Sequence, residues 1–519
     1  MPRIFTYIFR ALVPEDANVR RERLFLAASG LIAAAAWPPL PLGFLIFVSL
    51  ILPLEIISGK SFGKAFGAGY LFAFCYHLFA LYWIAWVTVG GMLIAIAVIS
   101  LYDAFIFALY AGLYRRRPKA AIVLFPLLWI GMEYFRTLFE FAFPWSNLSY
   151  TQWRYLSLLQ ICEYVGDAGI TLIIVVVNIL LWQVWRQTGR NRRALLALAA
   201  GLLIVLPTAY GAVVMAGAEP DHDGPINVAL LQGSIPLEQK WDPTQVEYSF
   251  HLYDSLSLAA TPADLIVWPE TAAPANLLNN HHQTTLVSST ARKAGCPMLV
   301  GTLDDTPLPD TGYRYYNAAI QFDPDGGHRP PYHKIKLVPF AETVAYGRYL
   351  PFLVNLNVGW SDFTAGTDLR VYENGFGSYG VLICYEVVFP ELVNQYLREG
   401  ADFLVNITND TWYGYSSGPY QHSVMAIFRA IENRVAIARA ANSGFSYFVD
   451  RYGRMYNKSR LYDVTVMKGK VKPAGERTTF NRTGPILGRI GLVVVALVTV
   501  LLAGSWIQKR FRSQSSPSF

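Results

Sequence analysis

The chain has 519 residues, of which 53% are hydrophobic and only 15% charged, a balance too apolar for an ordinary soluble protein of this length. Its net charge of +7 would suit a nucleic-acid binder, yet residues 219–482 hold 22 Lys/Arg against 27 Asp/Glu, leaving 21 against 9 in the apolar remainder. The positive excess therefore belongs to the lipid-facing part, where it reads as topology, and no nucleic-acid partner is expected.

In chain order, apolar stretches near the length that spans a bilayer are predicted at 24–37, 41–58, 65–88, 91–114, 119–135, 166–185 and 194–216, with an eighth at 486–507. The first begins only after Arg20, Arg21 and Arg23 and is followed by further spans, so it is expected to stay as an anchor rather than be cleaved. With a cytoplasmic N-terminus, the inside segments carry Arg3, Arg10, Arg20, Arg21 and Arg23, then Lys60 and Lys64, Arg115–Arg117 and Lys119, Arg186, Arg190, Arg192 and Arg193, and finally Lys509, Arg510 and Arg512. Only Arg136, Arg154 and Arg489 fall outside or near the outer boundary, so the long segment between spans seven and eight is expected on the outer face. The connection 137–163 is aromatic, with Phe143, Pro144, Trp145, Tyr150 and Trp153. It reads first as interfacial anchors and second as a loop shaping a lipid entrance. Glu133 and Arg136, three apart on a helix, are placed to pair at that boundary.

From residue 218 to 485 the pattern changes. β-Branched runs at 226–231, 265–268, 298–302, 315–322, 380–384, 403–407 and 445–449 alternate with helical candidates at 243–259, 280–294, 387–399 and 420–438. That alternation predicts an α/β domain with buried sheet. Asp323-Pro324-Asp325-Gly326-Gly327 marks a tight turn, and a polar tail follows Phe511. The division expected is thus a membrane domain over 1–217, an extramembrane α/β domain over 218–485, and a last span with cytoplasmic tail over 486–519.

The four cysteines, Cys75, Cys162, Cys296 and Cys384, form no CxxC pair and no Cys/His cluster, so neither a metal nor a disulfide framework is indicated. Three segments instead end a strand with a reactive side chain: Val267-Trp268-Pro269-Glu270-Thr271, the run 332–342 containing Lys334 and Glu342, and Val381-Leu382-Ile383-Cys384-Tyr385-Glu386. A carboxylate, an amine and a thiol make a nucleophilic set, because a thiol near its free pKa of about 8.5 needs a base and a charge environment favouring thiolate. Taken singly, Cys384 could equally be inert packing, and Glu270 with Lys334 a structural ion pair.

These segments resemble, in the same chain order, the Glu, Lys and Cys motifs of the nitrilase superfamily. With spans on both sides, the whole resembles the bacterial apolipoprotein N-acyltransferases. The resemblance implies an α-helical membrane bundle plus an α/β nitrilase-like (αββα sandwich) extramembrane domain facing the periplasm from the inner membrane. It implies Glu270 as general base, Lys334 as oxyanion donor and Cys384 as nucleophile, with Glu342, Tyr385 and Glu386 in support. Trp241 matches a family segment and reads equally as substrate contact or as packing. Asn409-Asp410-Thr411-Trp412-Tyr413-Gly414 and Gln421-His422 also match family loops, and His422 reads as a hydrogen-bonded scaffold residue, since the set already has a base. Two departures stand out: Ala341 occupies the position where the family pattern usually has Gly before the Glu, and Lys336 is a second lysine close to Lys334.

The same resemblance implies two-step acyl transfer without a cofactor. Cys384 would take a fatty acyl chain from a phospholipid donor and pass it to the α-amino group of a diacylated apolipoprotein, the chain acting as a membrane-embedded monomer. Two alternatives stay open: a membrane-bound amidase in which water resolves the thioester, and a non-catalytic lipoprotein-binding scaffold.

Overall fold

The structure is a computed structural model that describes residues 16–219, 221–308, 312–347, 349 and 362–514. Arg3 and Arg10, invoked above for topology, lie outside the described residues, as does the end of the polar tail.

The N-terminal part is helical: α1 Ala17–Ala35, α2 Phe62–Ala80, α3 Val89–Tyr114, α4 Pro118–Phe135, α5 Cys162–Arg186 and α6 Arg190–Ala216. Their boundaries follow local chemistry. Asp16 caps α1 by accepting from the Asn18 N–H, Thr88 caps α3, and Pro118 occupies the first turn of α4, where a missing N–H costs nothing. Helix α11, Ile486–Gln514, returns from the C-terminal side and packs along α4. The approach is tight because Gly131 and Gly491 face each other: a Cβ on Gly131 would lie 2.2 Å from the Gly491 carbonyl carbon. That closeness is the small-residue packing by which helices associate in lipid.

Among the described residues, five helices are long and apolar enough to cross a membrane: α3, α4, α5, α6 with the residues that follow it, and α11. They coincide with five of the eight predicted spans. The other three differ. Stretch 24–37 outruns α1, which ends at Ala35 and whose first turns carry Arg20, Arg21, Glu22 and Arg23, and stretch 65–88 is cut when α2 ends at Ala80 and gives way to a 3-10 turn at Tyr82–Trp86. Stretch 41–58 is a 3-10 turn at Gly43–Phe47 followed by a short helix at Ile51–Ile57.

The α/β part contains two sheets. In chain order its strands are β1 Ile226–Gln232, β2 Leu265–Val267, β3 Ala273–Asn276, β4 Met298–Pro307, β5 Tyr313–Phe322, β6 Tyr332–His333, β7 Val371–Asn374, β8 Gly377–Ile383, β9 Phe403–Thr408, β10 Ile437–Ala441, β11 Tyr447–Val449, β12 Met455–Tyr456 and β13 Thr465–Val471. The first sheet runs β13-β1-β2-β4-β5-β6 with β3 beside β4, and the second runs β12-β11-β10-β9-β8-β7.

Period-two alternation splits the strand side chains between two cores. Val228 and Leu230 of β1 join the cluster that holds the second sheet. Ala229 and Leu231 join Phe250, Tyr253, Val287 and Ala291 of the covering helices α7 Val246–Ala259 and α8 His281–Ala294. The outer face of the second sheet is covered by α9 Pro390–Arg398 and α10 Gly418–Asn433. The result is the helix–sheet–sheet–helix sandwich expected.

One expected element is corrected. The helix predicted over 420–438 stops at Asn433, because Arg434 takes a left-handed backbone (φ 47), and the chain then forms β10, parallel to β9. Ile437–Ala441 is apolar enough to extend a helical pattern, but it is buried within a sheet, where neighbouring strands rather than periodicity decide.

Candidate active site

Strands β1, β2 and β4 run parallel in one sheet and β8, β9 and β10 in the other, and Glu270 and Cys384 stand just past the carboxyl ends of β2 and β8, where ligand sites lie in parallel sheets. Ile383 ends β8, and Cys384 follows with φ 53, a left-handed conformation costly for a residue with a Cβ and characteristic of functional turns. Cys384 is only 7% exposed.

Glu386, fully buried, holds that turn. Its carboxylate accepts from the N–H of Ile383 at 2.7 Å, of Ile335 at 2.7 Å and of Lys336 at 3.1 Å, and from the Tyr332 hydroxyl at 2.8 and 2.9 Å. One carboxylate thus ties the cysteine turn to the segment that carries Lys334. Burial pushes its carboxyl up to about 7, with the Ile383 N–H and the Lys334 charge opposing.

Lys334 Nζ lies 2.8 Å from Glu342 Oε1 and 3.5 Å from Glu270 Oε1. Burial alone would lower this amine; the Glu342 and Glu270 carboxylates outweigh it and hold it above the ordinary lysine value, so it stays charged. Lys336, the second lysine, instead lies over the Phe389 ring at 5.4 Å. Ala341 in place of glycine strains nothing, because the positive φ of that turn falls on Phe340 (φ 61).

Cys384 titrates above the ordinary thiol. Burial raises it, the Glu270 carboxylate raises it further, and Lys334 pulls it down. A free thiolate is therefore disfavoured.

Two residues that sequence reading missed complete the arrangement. Asn317 Nδ2 donates to Glu270 Oε1 at 2.7 Å and to Glu342 Oε1 at 3.1 Å, holding both carboxylates beside one ammonium. Lys240, fully buried, donates to the Glu270 carbonyl at 3.3 Å and to Thr271 Oγ1 at 3.1 Å. Thr271 is itself left-handed (φ 48), so Lys240 braces a strained turn. Gly301 on β4 is required there: a Cβ would stand 2.2 Å from the Pro269 carbonyl oxygen. Trp241, half-buried, directly follows the short helix Leu237–Lys240 that delivers Lys240.

His422 is fully buried, with Nδ1 2.8 Å from Asp410 Oδ1 and Nε2 3.2 Å from the Cys384 carbonyl oxygen. Burial, then the Arg439 guanidinium, keep its imidazole below the ordinary value. Nδ1 also lies 3.0 Å from Arg439 Nη2, a donor, so the neutral ring accepts there and donates its Nε2 proton to the Cys384 carbonyl, bracing that backbone.

The first reading of the aromatic connection 137–163 is corrected at Trp145 and Tyr150. Trp145 and Tyr150 are buried in protein, not presented to a headgroup layer. Trp145 stacks near Tyr385 at 6.2 Å and shares Gln421 with Trp83, each indole donating at 3.0 Å to Gln421 Oε1. The Tyr385 hydroxyl donates to the Ala142 carbonyl at 3.0 Å. Glu133 and Arg136 do approach, at 4.0 Å, but inside the helical part, where Arg136 also lies 3.8 Å from Asp103. The membrane-side loop is thus one wall of the catalytic turn.

Residues 227–475 match the carbon-nitrogen hydrolase family model, and residues 29–180 match that of the apolipoprotein N-acyltransferase N-terminal domain. Fold and site define a carbon-nitrogen hydrolase-type enzyme joined to membrane helices. An apolipoprotein N-acyltransferase of Geobacter metallireducens is 35% identical over 94% of this chain and 96% of its own. One from Chlorobaculum tepidum is 29% identical over 92% and 95%. The chain belongs to the apolipoprotein N-acyltransferase family. Among solved structures, an amidase from Nesterenkonia sp. is 18% identical with a TM-score of 0.39, covering 52% of this chain and 97% of the amidase. The apolar helices and bacterial relatives make this an inner-membrane protein.

Proposed function

We propose that the chain transfers a fatty acyl chain from a membrane phospholipid to the α-amino group of the N-terminal S-diacylglyceryl cysteine of apolipoproteins, through a thioester on Cys384. The observation that carries this reading is the placement of Glu270 and Glu342 around the Lys334 ammonium close to the Cys384 thiol, in a chain with bilayer-length helices on both sides of the α/β domain.

Glu270 takes the thiol proton as Cys384 Sγ attacks the ester carbonyl. Lys334 and the N–H after Cys384 stabilise the oxyanion, a contribution of about 3–4 kcal/mol for one such donor. Collapse breaks the ester C–O bond, and the proton on Glu270 goes to the departing lysophospholipid. The lipoprotein amine then attacks the thioester, gives its proton to Glu270, and Cys384 leaves and is reprotonated. Glu342 keeps Lys334 in place, Glu386 and Tyr385 hold the cysteine turn, and Trp241 borders the acyl or peptide path. Residues 1–217 form the membrane domain, 218–485 the periplasmic catalytic domain and 486–519 the last span and cytoplasmic tail of a monomer.

The test supplies purified protein with acyl-labelled phospholipid and then a diacylated lipopeptide. Wild type should give a labelled thioester and then N-acylated peptide, and Cys384→Ala neither. Thioester followed only by free fatty acid would make the protein a hydrolase; no thioester would make it a scaffold. Reporter fusions at Ala218 and after Arg512 test orientation, and an active reporter on the cytoplasmic side at Ala218 would overturn it.

Lys240 yields a further expectation. Burial draws its ammonium down to about 8, with Glu270 opposing, so it loses its proton above that pH. Thioester formation should therefore decline above pH 8 in the wild type. In Lys240→Met it should be slower by ~10²-fold at pH 7, the scale of a small misplacement of a reacting group, and lack that alkaline limb. Single-turnover acylation across pH 6–10 checks both.

A further inference from the structure

A cavity of about 380 Å³ lies away from the catalytic groups, where α5 and α6 meet the α/β domain. Its walls include Glu163 and Tyr164 of α5, Tyr210 of α6, and Arg434, Arg451 and Glu476 of the α/β domain. None of Glu270, Lys334 or Cys384 borders it.

Two features define what would fit. The first is location. Helix α6 presents bare apolar side chains along its length, with Leu195, Leu198, Leu206 and Val213 each more than half exposed, and the cavity opens beside its last turns. An apolar face that ends at a charged hollow matches a molecule with hydrocarbon tails and a polar head.

The second is charge. Arg434 is fixed through Nε to Glu163 Oε2 at 3.0 Å and through Nη1 to Gln160 Oε1 at 2.6 Å and the Arg451 carbonyl at 3.2 Å, and it lies 4.7 Å over the Tyr452 ring, while its Nη2 is buried with no hydrogen-bond partner among the described residues. A buried guanidinium nitrogen left unmatched marks a place for an acceptor the protein does not itself provide. Arg451 is held by Asp221 through Nε and Nη2, and its Nη1 lies toward Gly475, another residue of the wall. Glutamates stand at the same cavity: Glu163 receives the Tyr210 hydroxyl, and Glu476 is exposed. Paired arginines suit a phosphate diester, and adjacent carboxylates with tyrosine rings suit an ammonium.

We infer that this cavity binds the headgroup of a zwitterionic phospholipid carrying a phosphate and a primary ammonium, at a site separate from the catalytic centre. The lipid would join α5 and α6 to the α/β domain at the bilayer surface.

The test is native mass spectrometry of the full chain in detergent with added dioleoyl phosphatidylethanolamine, dioleoyl phosphatidylglycerol or inorganic phosphate. The variants are Arg434→Gln and Glu476→Lys, and thioester formation at Cys384 is measured alongside. Wild type should retain one more phosphatidylethanolamine than Arg434→Gln. Glu476→Lys, at an exposed position that cannot unfold the chain, should weaken phosphatidylethanolamine by about 3–5-fold and strengthen phosphatidylglycerol, the scale of one exposed charge pair. Thioester formation should be unchanged in Glu476→Lys, which decides the matter if Arg434→Gln proves unstable. Equal lipid retention in wild type and Glu476→Lys would overturn the inference. So would displacement of the retained lipid by millimolar phosphate, which would assign the site to a free anion, or a parallel fall in thioester formation, which would make it part of the donor path.

Discussion

Glu270→Gln is expected to slow thioester formation by ~10²–10⁴-fold, the usual contribution of a positioned general base. The substitution is isosteric, and Asn317 and Lys334 remain to orient the side chain, so the effect isolates proton acceptance from geometry. The base is needed because the Cys384 thiol is held above its ordinary range, chiefly by burial, so little thiolate exists in advance at neutral pH. The residual rate of Glu270→Gln should accordingly climb with pH as thiolate forms unaided, until Lys240 loses its proton near pH 8. Rapid-quench acylation with labelled phospholipid measures it; a wild-type rate in the variant would remove Glu270 from the chemistry. Under the proposed mechanism substrate binding should be preserved and only the acylation rate should fall.

The second large effect is one of stability. Arg429, on α10, is fully buried and lies 3.0 Å from Glu432 Oε2 and 3.7 Å from Asp167 Oδ2 of α5, while Glu432 Oε1 accepts the Asp167 N–H at 2.8 Å. These groups join the membrane helices to the α/β domain. Arg429→Ala leaves Glu432 and Asp167 buried without their cation and is expected to cost about 3–5 kcal/mol, the range for breaking a buried pair from one side. Replacing Arg429 and Glu432 together by Met and Leu should cost much less, because no charge is then stranded.

The pH dependence has a definite sign. Burial, only partly offset by Arg429, pushes the Glu432 carboxyl up to about 8. Its folded value thus lies above its unfolded one, so its contribution is fully present in acid and is lost as pH rises from the ordinary carboxylate range through 8. Without Arg429 the dependence should steepen, and Arg429→Ala should be least unstable near pH 5. Thermal unfolding in detergent across pH 5–9 checks this; a deficit that does not change with pH would rule out an unpaired carboxylate as its cause.

Much of the site was legible in the chain because each reactive residue comes with its own local signal. An apolar strand ends, and Glu270, Lys334 or Cys384 stands at its edge within a motif of a few residues. Lys240 and Asn317 carry no such signal, and the loop match at Gln421-His422 does not reveal the partners of Gln421. Asn317 is one polar residue in a strand, Lys240 one lysine in a short helix, and Gln421 one amide on an amphipathic helix. Their roles arise from partners 30, 47 and 276 residues away: Glu270, Glu270 again and Trp145. The aromatic loop misled for a related reason. Aromatic composition suits a headgroup layer and a protein interface alike, and only packing showed that Trp145 and Tyr150 are covered by the catalytic part. The same holds for β10, whose apolar run fits a helix until Arg434 reverses the backbone and neighbouring strands supply its hydrogen bonds.

Composition and charge placement alone determined that part of this chain faces lipid, that its basic excess follows the short loops, and that an α/β domain bears a Glu, Lys and Cys set. Those properties are local or additive, and can be read residue by residue. Tertiary structure alone decided that one ammonium sits between two carboxylates, that Glu386 links the cysteine turn to the lysine segment, and that a membrane-side loop walls the site. Each depends on groups far apart in sequence meeting within hydrogen-bond distance, which chain order does not encode.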